Sequence, residues 1–384
     1  MRAIILTSPF EKCGIKTYVE NLVDAIPPAQ IQVDLVRLDR SWPIEVLRLF
    51  RRGPRPTVIH CQHEFAFFGS PAGIWAIPGV LFIKVLSFLL RFRIVMTWHT
   101  IWTTENVVSR LPQLNLPRWT APIAMGYLRA YYRLISALCS CVLVPTQEGV
   151  ETLRSYGVSN ARFVPLGSYV AQAVTSEEIA RFKRKALGEE PNSTTVLLFG
   201  FAFESKGYHH VILAMPSLLK FSPNASLVIT AGLPDSDPEQ GARYLERLRS
   251  TADEVGVKDK IRFLGFIPKE AVPALVSAAD VAIFPFDERA SGSASLFEVL
   301  AYGVPLVTST ARAFDFLEDG RHCLKIDPHD TNALASAIDR VLRDRSLRDS
   351  LRANLRDLST ELSITKSARA HVDLYESLGR SSVS

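Results

Sequence analysis

The chain is 384 residues long, 47% hydrophobic and 22% charged, a composition typical of a globular protein that excludes an intrinsically disordered chain. Its net charge of +5 is too weak to indicate a nucleic-acid-binding protein, although it suits a phosphate-bearing ligand or an anionic membrane surface. The five cysteines lack the spacing of a zinc or redox site, so we expect free thiols and a cytoplasmic protein.

Short apolar strands alternate with helices through the first half of the chain. The predicted strands are Arg2–Thr7, Gln32–Arg37, Val58–Cys61, Ile94–Thr97, Cys141–Val144 and Arg162–Pro165. The predicted helices are Ile15–Ala25, Pro71–Arg91, Pro117–Ala137 and Gln147–Tyr156. Such alternation is typical of a parallel sheet covered by helices. The apolar stretch from Gly73 to Trp98 contains charged residues and Pro78, so no membrane-spanning segment is predicted.

A second alternating series follows a polar segment that begins near Ser168. Its predicted strands are Thr195–Phe199, Ser226–Ala231, Ile261–Phe266, Val281–Pro285, Leu306–Thr308 and Cys323–Ile326. Its predicted helices are Ser176–Leu187, Tyr208–Lys220, Ala242–Val255, Ala271–Ser277, Ser295–Tyr302 and Thr331–Arg343, and the segment Leu347–Leu378 is also helical. We therefore expect the α/β fold class.

Two similar α/β series predict two Rossmann-like domains. Their expected bounds are 1–168 and 169–360, with a C-terminal helix over 361–384 that packs back toward the first domain. The ligand cleft is expected between the domains, at the carboxyl ends of the strands.

The loop Ser8–Gly14 joins the first predicted strand to the first helix. Gly14 would let backbone N–H groups approach a ligand at the helix N-terminus, where phosphate is favoured. A plain strand-to-helix turn explains the same residues. The loop lacks the G-x-G-x-x-G pattern of a dinucleotide-binding oxidoreductase.

Polar residues also follow two other predicted strands of the first half. Gln62, His63 and Glu64 are candidates to bind an acceptor or a sugar, and hydrogen-bonded loop anchors are the alternative. His60, His63 and Glu64 do not all point one way on an extended segment, so no metal site is predicted there. His99 could donate to a sugar hydroxyl or stabilise developing charge, or it could simply be packed or solvated.

In the second half, Lys206 and Gly207 follow a strand and a short turn. An ammonium group at a helix N-terminus is a natural phosphate ligand and could stabilise a departing nucleoside diphosphate. A solvated surface lysine is the alternative.

The segment SGSASLFE, from Ser291 to Glu298, gives the strongest indication of a ligand site. Small residues open a helix there, and their free N–H groups and hydroxyls form an anion-binding site. Glu298 follows about one turn later, where its carboxylate can accept hydrogen bonds from both hydroxyls of a ribose. A capped helix with an exposed glutamate is the alternative.

In order and spacing, the sequence resembles family 4 of the retaining glycosyltransferases, which have the GT-B fold. The resemblance covers nearly the whole chain and is carried by pieces such as CGIKTYVENL, VIHCQHEFAFFG, IVMTWHT, LLFGFAFESKG and SGSASLFEVLAYGVPLVTS. It implies a hexosyltransferase that moves a sugar from a nucleotide-sugar donor to a lipid-linked, polysaccharide or other glycan acceptor. It also implies that the reaction needs no metal cofactor.

The resemblance assigns roles to individual residues. His99 and Lys206 would be catalytic, His99 beside the anomeric carbon and Lys206 on the diphosphate. Glu298 would hold the ribose, and Phe266 to Pro268 would line the base pocket. The donor-binding set would be Gly14, Gly207, Phe266, Pro268, Gly292, Ser293, Ala294, Ser295 and Glu298.

Three positions depart from the family pattern. Ala290 stands where the first of two glutamates would be, Phe201 replaces the usual arginine, and Leu166 replaces a frequent histidine. Glu288 is a candidate to replace the missing glutamate at the sugar. The departures leave open a pseudo-enzyme that binds a nucleotide sugar or a partner without catalysis. A sugar-nucleotide epimerase is a further alternative.

Two segments of the first half combine apolar and aromatic side chains with positive charge. One extends from Trp75 to Arg93 and the other from Arg118 to Arg133. Such segments are typical of helices at a membrane interface, with buried packing as the alternative. We expect the first domain to dock on the inner face of the cytoplasmic membrane.

Overall fold

The computed structural model describes residues 1–68, 76–111, 116–287 and 293–380. The chain forms two compact units, the first from Met1 to Gly167 with the C-terminal segment from Ile364, and the second from Ser168 to Ser363. Each unit contains a six-stranded sheet in which all paired strands are parallel. The predicted α/β class with two Rossmann-like domains is confirmed.

The first unit alternates strands and helices, labelled here in chain order. Its strands are Arg2–Thr7 (β1), Gln32–Arg37 (β2), Val58–His63 (β3), Arg93–Trp98 (β4), Cys141–Val144 (β5) and Ala161–Phe163 (β6). Its helices are Gly14–Ala25 (α1), Trp42–Arg51 (α2), Ala76–Leu90 (α3), Thr104–Arg110 (α4), Ala121–Leu138 (α5), Gln147–Ser155 (α6) and, at the C-terminus, Ile364–Arg380 (α14).

The first sheet has the strand order β2-β1-β3-β4-β5-β6, so the direction in which strands are added reverses between β1 and β3. Every residue of β1 and of β3 is buried, because helices cover both faces of a parallel sheet. Ligands of such sheets bind at the carboxyl ends of the strands beside the reversal point. The loops after β1 and β3 lie at that position.

The second unit has the same alternation. Its strands are Thr194–Phe201 (β7), Ala225–Gly232 (β8), Ile261–Phe263 (β9), Val281–Phe284 (β10), Leu306–Ser309 (β11) and Cys323–Ile326 (β12). Its helices are Ser176–Phe182 (α7), Tyr208–Phe221 (α8), Pro238–Glu254 (α9), Val272–Ser277 (α10), Ala294–Ala301 (α11), Thr331–Arg343 (α12) and Arg345–Glu361 (α13). The strand order is β12-β11-β10-β7-β8-β9, which places the reversal between β7 and β10.

The helices differ from the prediction in three respects. Helices α2 and α4 were not predicted, and the segment Leu347–Leu378 is two helices, α13 and α14, rather than one. The chain breaks at Leu362, whose carbonyl oxygen accepts a hydrogen bond from the backbone N–H of Ser168 (2.6 Å). Helix α14 then packs against α1 and β3 of the first unit. None of the described helices is long and apolar enough to cross a bilayer.

Candidate functional site

The loops that follow β7 and β10 meet at the reversal point of the second sheet. Gly207, which precedes α8, has a φ of +66°, and a Cβ built on it would lie 1.9 Å from the carbonyl oxygen of Pro285. The backbone N–H of Asp287 donates to the carbonyl oxygen of Ser205 (3.0 Å). Only glycine permits this close approach of the two loops. The contact between the two loops therefore requires glycine at position 207. This contact also fixes the backbone that carries Lys206.

Lys206 carries a positive charge with little to compensate it. Its Nζ lies 3.8 Å from the ring centre of Phe286, a contact that favours the cation. No carboxylate of the described residues forms an ion pair with it, and burial lowers its pKa to about 7. An anionic ligand beside Nζ would oppose this desolvation and restore the charged form.

The start of α11 lies beside the end of β7. Ser293 caps the helix by accepting a hydrogen bond from the backbone N–H of Leu296 (3.3 Å), and its Oγ lies 2.8 Å from Oγ of Ser295. A Cβ on Gly200 (φ +145°) would come within 3.1 Å of Oγ of Ser295. The predicted residues Ser293, Ala294 and Ser295 thus form the start of a helix at the carboxyl edge of the sheet, where anions are favoured.

Glu298 lies on α11, one turn after its start. Its carboxylate is partly buried and has no hydrogen-bond partner among the described residues. Burial raises its pKa to about 7, against the opposing positive charge of Lys269. A ligand whose hydroxyls donate hydrogen bonds to this partly buried carboxylate would stabilise its ionised form.

An exposed aromatic surface lies beside the end of β7. The ring of Phe266 is 49% exposed and stacks on the ring of Phe201, with centres 6.4 Å apart. Gly232, at the end of β8, leaves room for Phe266, because a Cβ there would lie 3.3 Å from the Phe266 side chain. Pro268 is exposed in the same loop. Phe201, noted in the sequence only as a departure from the family pattern, is therefore part of a surface on which a planar base can stack.

Two predicted site residues and one departure from the family pattern fall in the segment after Asp287. Glu288, Ala290 and Gly292 all lie outside the described residues. The other predicted residues of the second half follow the carboxyl ends of β7, β9 and β10.

In the first unit, a chain of hydrogen bonds starts at His99, directly after β4. Its Nε2 lies 2.7 Å from Oε1 of Gln62, and Nε2 of Gln62 lies 3.3 Å from Nε2 of His60. The other nitrogen of His60 lies 2.5 Å from the hydroxyl of Tyr375 on α14. With this amide orientation, His99 donates its Nε2 proton to Gln62.

The protonation of His99 revises its predicted role. Burial lowers its pKa to about 3, so the ring is neutral at pH 7. Since its one proton is on Nε2 and bonds to Gln62, the remaining nitrogen, Nδ1, is an acceptor. The sequence suggested that His99 donates a hydrogen bond to a sugar hydroxyl. In the structure, its free Nδ1 is instead arranged to accept a hydrogen bond from a hydroxyl.

Gln62 and His63 also need correction. Both side chains are fully buried, so they offer no surface to an acceptor or a sugar. Nε2 of His63 lies 2.7 Å from the hydroxyl of Tyr131, and its ring packs against Trp98 with centres 4.1 Å apart. A parallel strand is covered on both faces, which is why polar residues at the end of β3 are enclosed. They are anchors, and Gln62 additionally orients His99.

Glu64 is partly buried and joins two loops. Its Oε1 accepts from the backbone N–H of Phe65 (3.1 Å), and its Oε2 accepts from the hydroxyl of Thr100 (2.5 Å). It therefore ties the loop after β3 to the loop after β4, which also carries His99. Its predicted contact with a sugar or acceptor stays a prediction.

Gly14 is the first residue of α1. The residue before it, Cys13, provides no side-chain cap, so the N–H groups of the first turn have no acceptor from that side chain. The ring of Tyr18, one turn later, contacts the ring of His99 edge-on, with centres 5.9 Å apart. The start of α1 and His99 are thus neighbours, and phosphate contact at Gly14 stays a prediction.

Two family models match the chain, each within one unit. The model described as Glycosyl transferases group 1 matches residues 180–358, and the model described as Glycosyltransferase Family 4 matches residues 33–167. The chain belongs to the group 1 glycosyltransferases.

Similar proteins of known name are also glycosyltransferases. The glycosyltransferase is 27% identical to the D-inositol 3-phosphate glycosyltransferase of Corynebacterium jeikeium, over 97% of its own length and 95% of the relative. It is 30% identical to a GDP-mannose-dependent alpha-(1-6)-phosphatidylinositol monomannoside mannosyltransferase of Mycobacterium tuberculosis, over 42% of its length and 41% of the relative. The structure of Anabaena HepE in complex with UDP and glucose matches 98% of the chain and 100% of HepE with a TM-score of 0.74 at 14% identity. The predicted GT-B fold and enzyme class are confirmed.

Proposed function

We propose that this glycosyltransferase is a retaining hexosyltransferase whose second unit binds a nucleotide sugar and whose first unit binds a glycan or lipid-linked acceptor. The observation that carries the proposal is Lys206, an ammonium without a carboxylate partner in the described chain, at the sheet edge where α11 also begins. The diphosphate of a donor supplies the negative charge that this position lacks. The aromatic surface of Phe201 and Phe266 suits its base, and the carboxylate of Glu298 suits its ribose.

The chemistry follows from the charges at this edge. As the bond between the anomeric carbon and the diphosphate breaks, negative charge grows on the phosphate oxygens, and Lys206 and the amides of α11 stabilise it. In the front-face route the departing phosphate takes the acceptor proton, so no protein carboxylate is needed as a base. Nδ1 of His99 accepts a hydrogen bond from a sugar hydroxyl and orients it. No metal takes part in this scheme.

The acceptor class is supported by the names of the relatives, which include an inositol phosphate and a phosphatidylinositol mannoside. The donor is sought among UDP- and GDP-sugars, because the same names and the HepE complex include both nucleotides. Inositol phosphates and mannosylated inositol lipids are the first acceptors to test.

The test is transfer of labelled sugar to these acceptors, with Lys206→Ala and Glu298→Gln beside wild type. Loss of a group that stabilises developing charge is expected to lower kcat by about 100-fold or more for Lys206→Ala. Lys220→Ala, an exposed lysine near the end of α8, is the control and should act as wild type.

Three results would contradict the proposal. Donor binding without transfer to any acceptor would indicate the pseudo-enzyme, and conversion of the donor without an acceptor would indicate the epimerase. Full transfer activity in Lys206→Ala would remove the assigned role of the ammonium.

We further propose that the first unit docks on an anionic membrane through exposed residues of α3 and of the segment that opens α5. Phe88 is 84% exposed and lies on one stripe of α3, and Trp119, 71% exposed, precedes α5. The rest of the α3 stripe is Leu81, Lys84, Val85 and Leu89, all exposed. Outward-facing apolar residues beside Lys84 and Arg118 match an interface of anionic headgroups over acyl chains.

Flotation with vesicles of phosphatidylcholine and phosphatidylserine tests this docking. Wild type is expected to float with these vesicles and not with phosphatidylcholine alone. Phe88→Ser should reduce flotation, whereas Phe221→Ser, an exposed phenylalanine of the second unit, should not. Recovery of all wild-type protein in the soluble fraction would refute membrane docking.

A further inference from the structure

Two histidines and an aspartate from three separate elements converge in the second unit. His210 lies in the first turn of α8, Asp287 follows β10, and His329 follows β12. One ligand atom from each side chain lies within 4.8 Å of the other two. The imidazole rings of His210 and His329 are nearly perpendicular, with centres 4.6 Å apart.

The distance between His210 and Asp287 suits a shared ion better than a direct contact. Nε2 of His210 lies 3.5 Å from Oδ1 of Asp287, which is longer than an ordinary hydrogen bond between nitrogen and oxygen. Two ligands of one tetrahedral zinc ion, each about 2.0–2.2 Å from the metal, are about 3.3–3.5 Å apart. The 3.5 Å between His210 and Asp287 falls within this range of ligand-to-ligand distances.

His210 supplies a second and independent indication. Its residue surface is only 6% exposed, yet its Nε2 has no hydrogen-bond partner among the described residues. A buried polar atom without a partner costs free energy, and most such atoms in proteins are satisfied. A metal ion coordinated by the Nε2 lone pair would satisfy it.

We propose that His210, Asp287 and His329 bind a zinc-type divalent transition metal. Imidazole nitrogens favour such ions over Mg²⁺ and Ca²⁺, which prefer oxygen ligands. Three protein ligands leave one tetrahedral position for water, and the exposed side chain of His329 opens the site to solvent.

The ion would join the start of α8 to the loops after β10 and β12. Its role would be structural, since it would tie together three elements that the chain brings together only on folding. Gly207, three residues before His210, and Pro285, two before Asp287, are the residues whose backbones meet beside Lys206. The metal would thus hold the backbone of that lysine while taking no part in transfer.

The experiment titrates metal-free, full-length protein with ZnCl₂ against a chromogenic chelator. Wild type is expected to bind one equivalent with high affinity and to show a higher Tm with zinc, since a ligand of the native state stabilises it. MgCl₂ should not change the Tm. Because His329 is exposed, His329→Ala should fold normally, lose at least about 10-fold in zinc affinity and lose the Tm increase.

His209→Gln is the matched control, since His209 is the neighbouring histidine and its Nδ1 already lies 3.1 Å from the hydroxyl of Tyr244. This variant should bind zinc as wild type does. Wild type that binds no zinc above the level of His329→Ala, or equal affinity in the two proteins, would overturn the proposal. Both readouts are independent of sugar transfer, so they stand whether or not the proposed reaction is correct.

Discussion

At the scale of single residues, burial shifts the pKa values of Lys206 and Glu298 in opposite directions. Burial lowers the pKa of the lysine to about 7 and raises the pKa of the glutamate to about 7. Lys206 forms no ion pair with a described carboxylate, and the positive charge of Lys269 opposes the shift of Glu298 without reversing it. A nucleotide sugar would reverse both, since its phosphates favour the ammonium and its ribose hydroxyls favour the carboxylate.

This pair predicts that donor binding moves protons in opposite directions on the two sides of pH 7. At pH 8 free Lys206 is mostly neutral and Glu298 mostly ionised, so binding takes up a proton on the lysine. At pH 6 Lys206 is mostly charged and Glu298 mostly protonated, so binding releases a proton from the glutamate. Calorimetric titration in buffers of different ionisation enthalpy measures the number of protons taken up at pH 8 and the number released at pH 6.

Two variants assign the protons. Lys206→Arg keeps the charge at all these pH values and should abolish the uptake at pH 8. Glu298→Gln cannot ionise and should abolish the release at pH 6. Identical proton numbers in wild type and both variants would show that neither group changes protonation when the donor binds.

The sequence predicted Lys206, Glu298 and His99 as site residues, because each lies near the carboxyl end of a strand or the start of a helix, where ligands of such folds bind. It could not separate Glu64, which is partly exposed, from Gln62 and His63, which are enclosed, since all three end the same strand. Long-range contacts were also beyond it: the metal ligands proposed above are far apart in the chain and show no motif.

At the scale of elements, the junction of the loops after β7 and β10 depends on Gly207. Gly207→Ala would place a methyl group 1.9 Å from the carbonyl oxygen of Pro285, at a φ of +66°. The loop must move, and Lys206 moves with it. We expect loss of donor binding and a stability loss well above the roughly 1–2 kcal/mol of left-handed strain alone.

Gly188→Ala is a closely matched control. Gly188 has the same φ of +66°, but nothing lies within 4 Å of a Cβ built on it. It should cost only the backbone strain and leave donor binding unchanged. Denaturant unfolding and donor titration compare the two variants, and equal losses would show that the contact with Pro285 is unimportant.

The elements themselves were predictable where their signals were local. Apolar runs located the strands, because buried parallel strands are hydrophobic on both faces. Helix α4 was missed because its capping box pairs Thr103 with Asn106 rather than with glutamate or glutamine. The break after α13 carries no glycine or proline signal and coincides with the contact between Leu362 and Ser168.

At the scale of the whole molecule, the chain leaves the first unit after Gly167 and returns to it at Ile364. Helix α14 completes the first unit, since it packs on α1 and β3. His371 and Tyr375 of this helix are buried and pack against the ring of His60. The stability of the first unit therefore depends on residues that follow the whole second unit in the chain.

Substitutions of Tyr375 test this dependence. Tyr375→Ala empties a fully buried site and is expected to cost the first unit about 3–5 kcal/mol. Tyr375→Phe keeps the volume and should cost about 1–3 kcal/mol, since it leaves the buried Nδ1 of His60 unpaired. Calorimetry should show a lowered transition for the first unit, while the increase in Tm on donor binding to the second unit persists. Glu376→Ala, at the next and exposed position of α14, should match wild type, and its equivalence to Tyr375→Ala would contradict this dependence on α14.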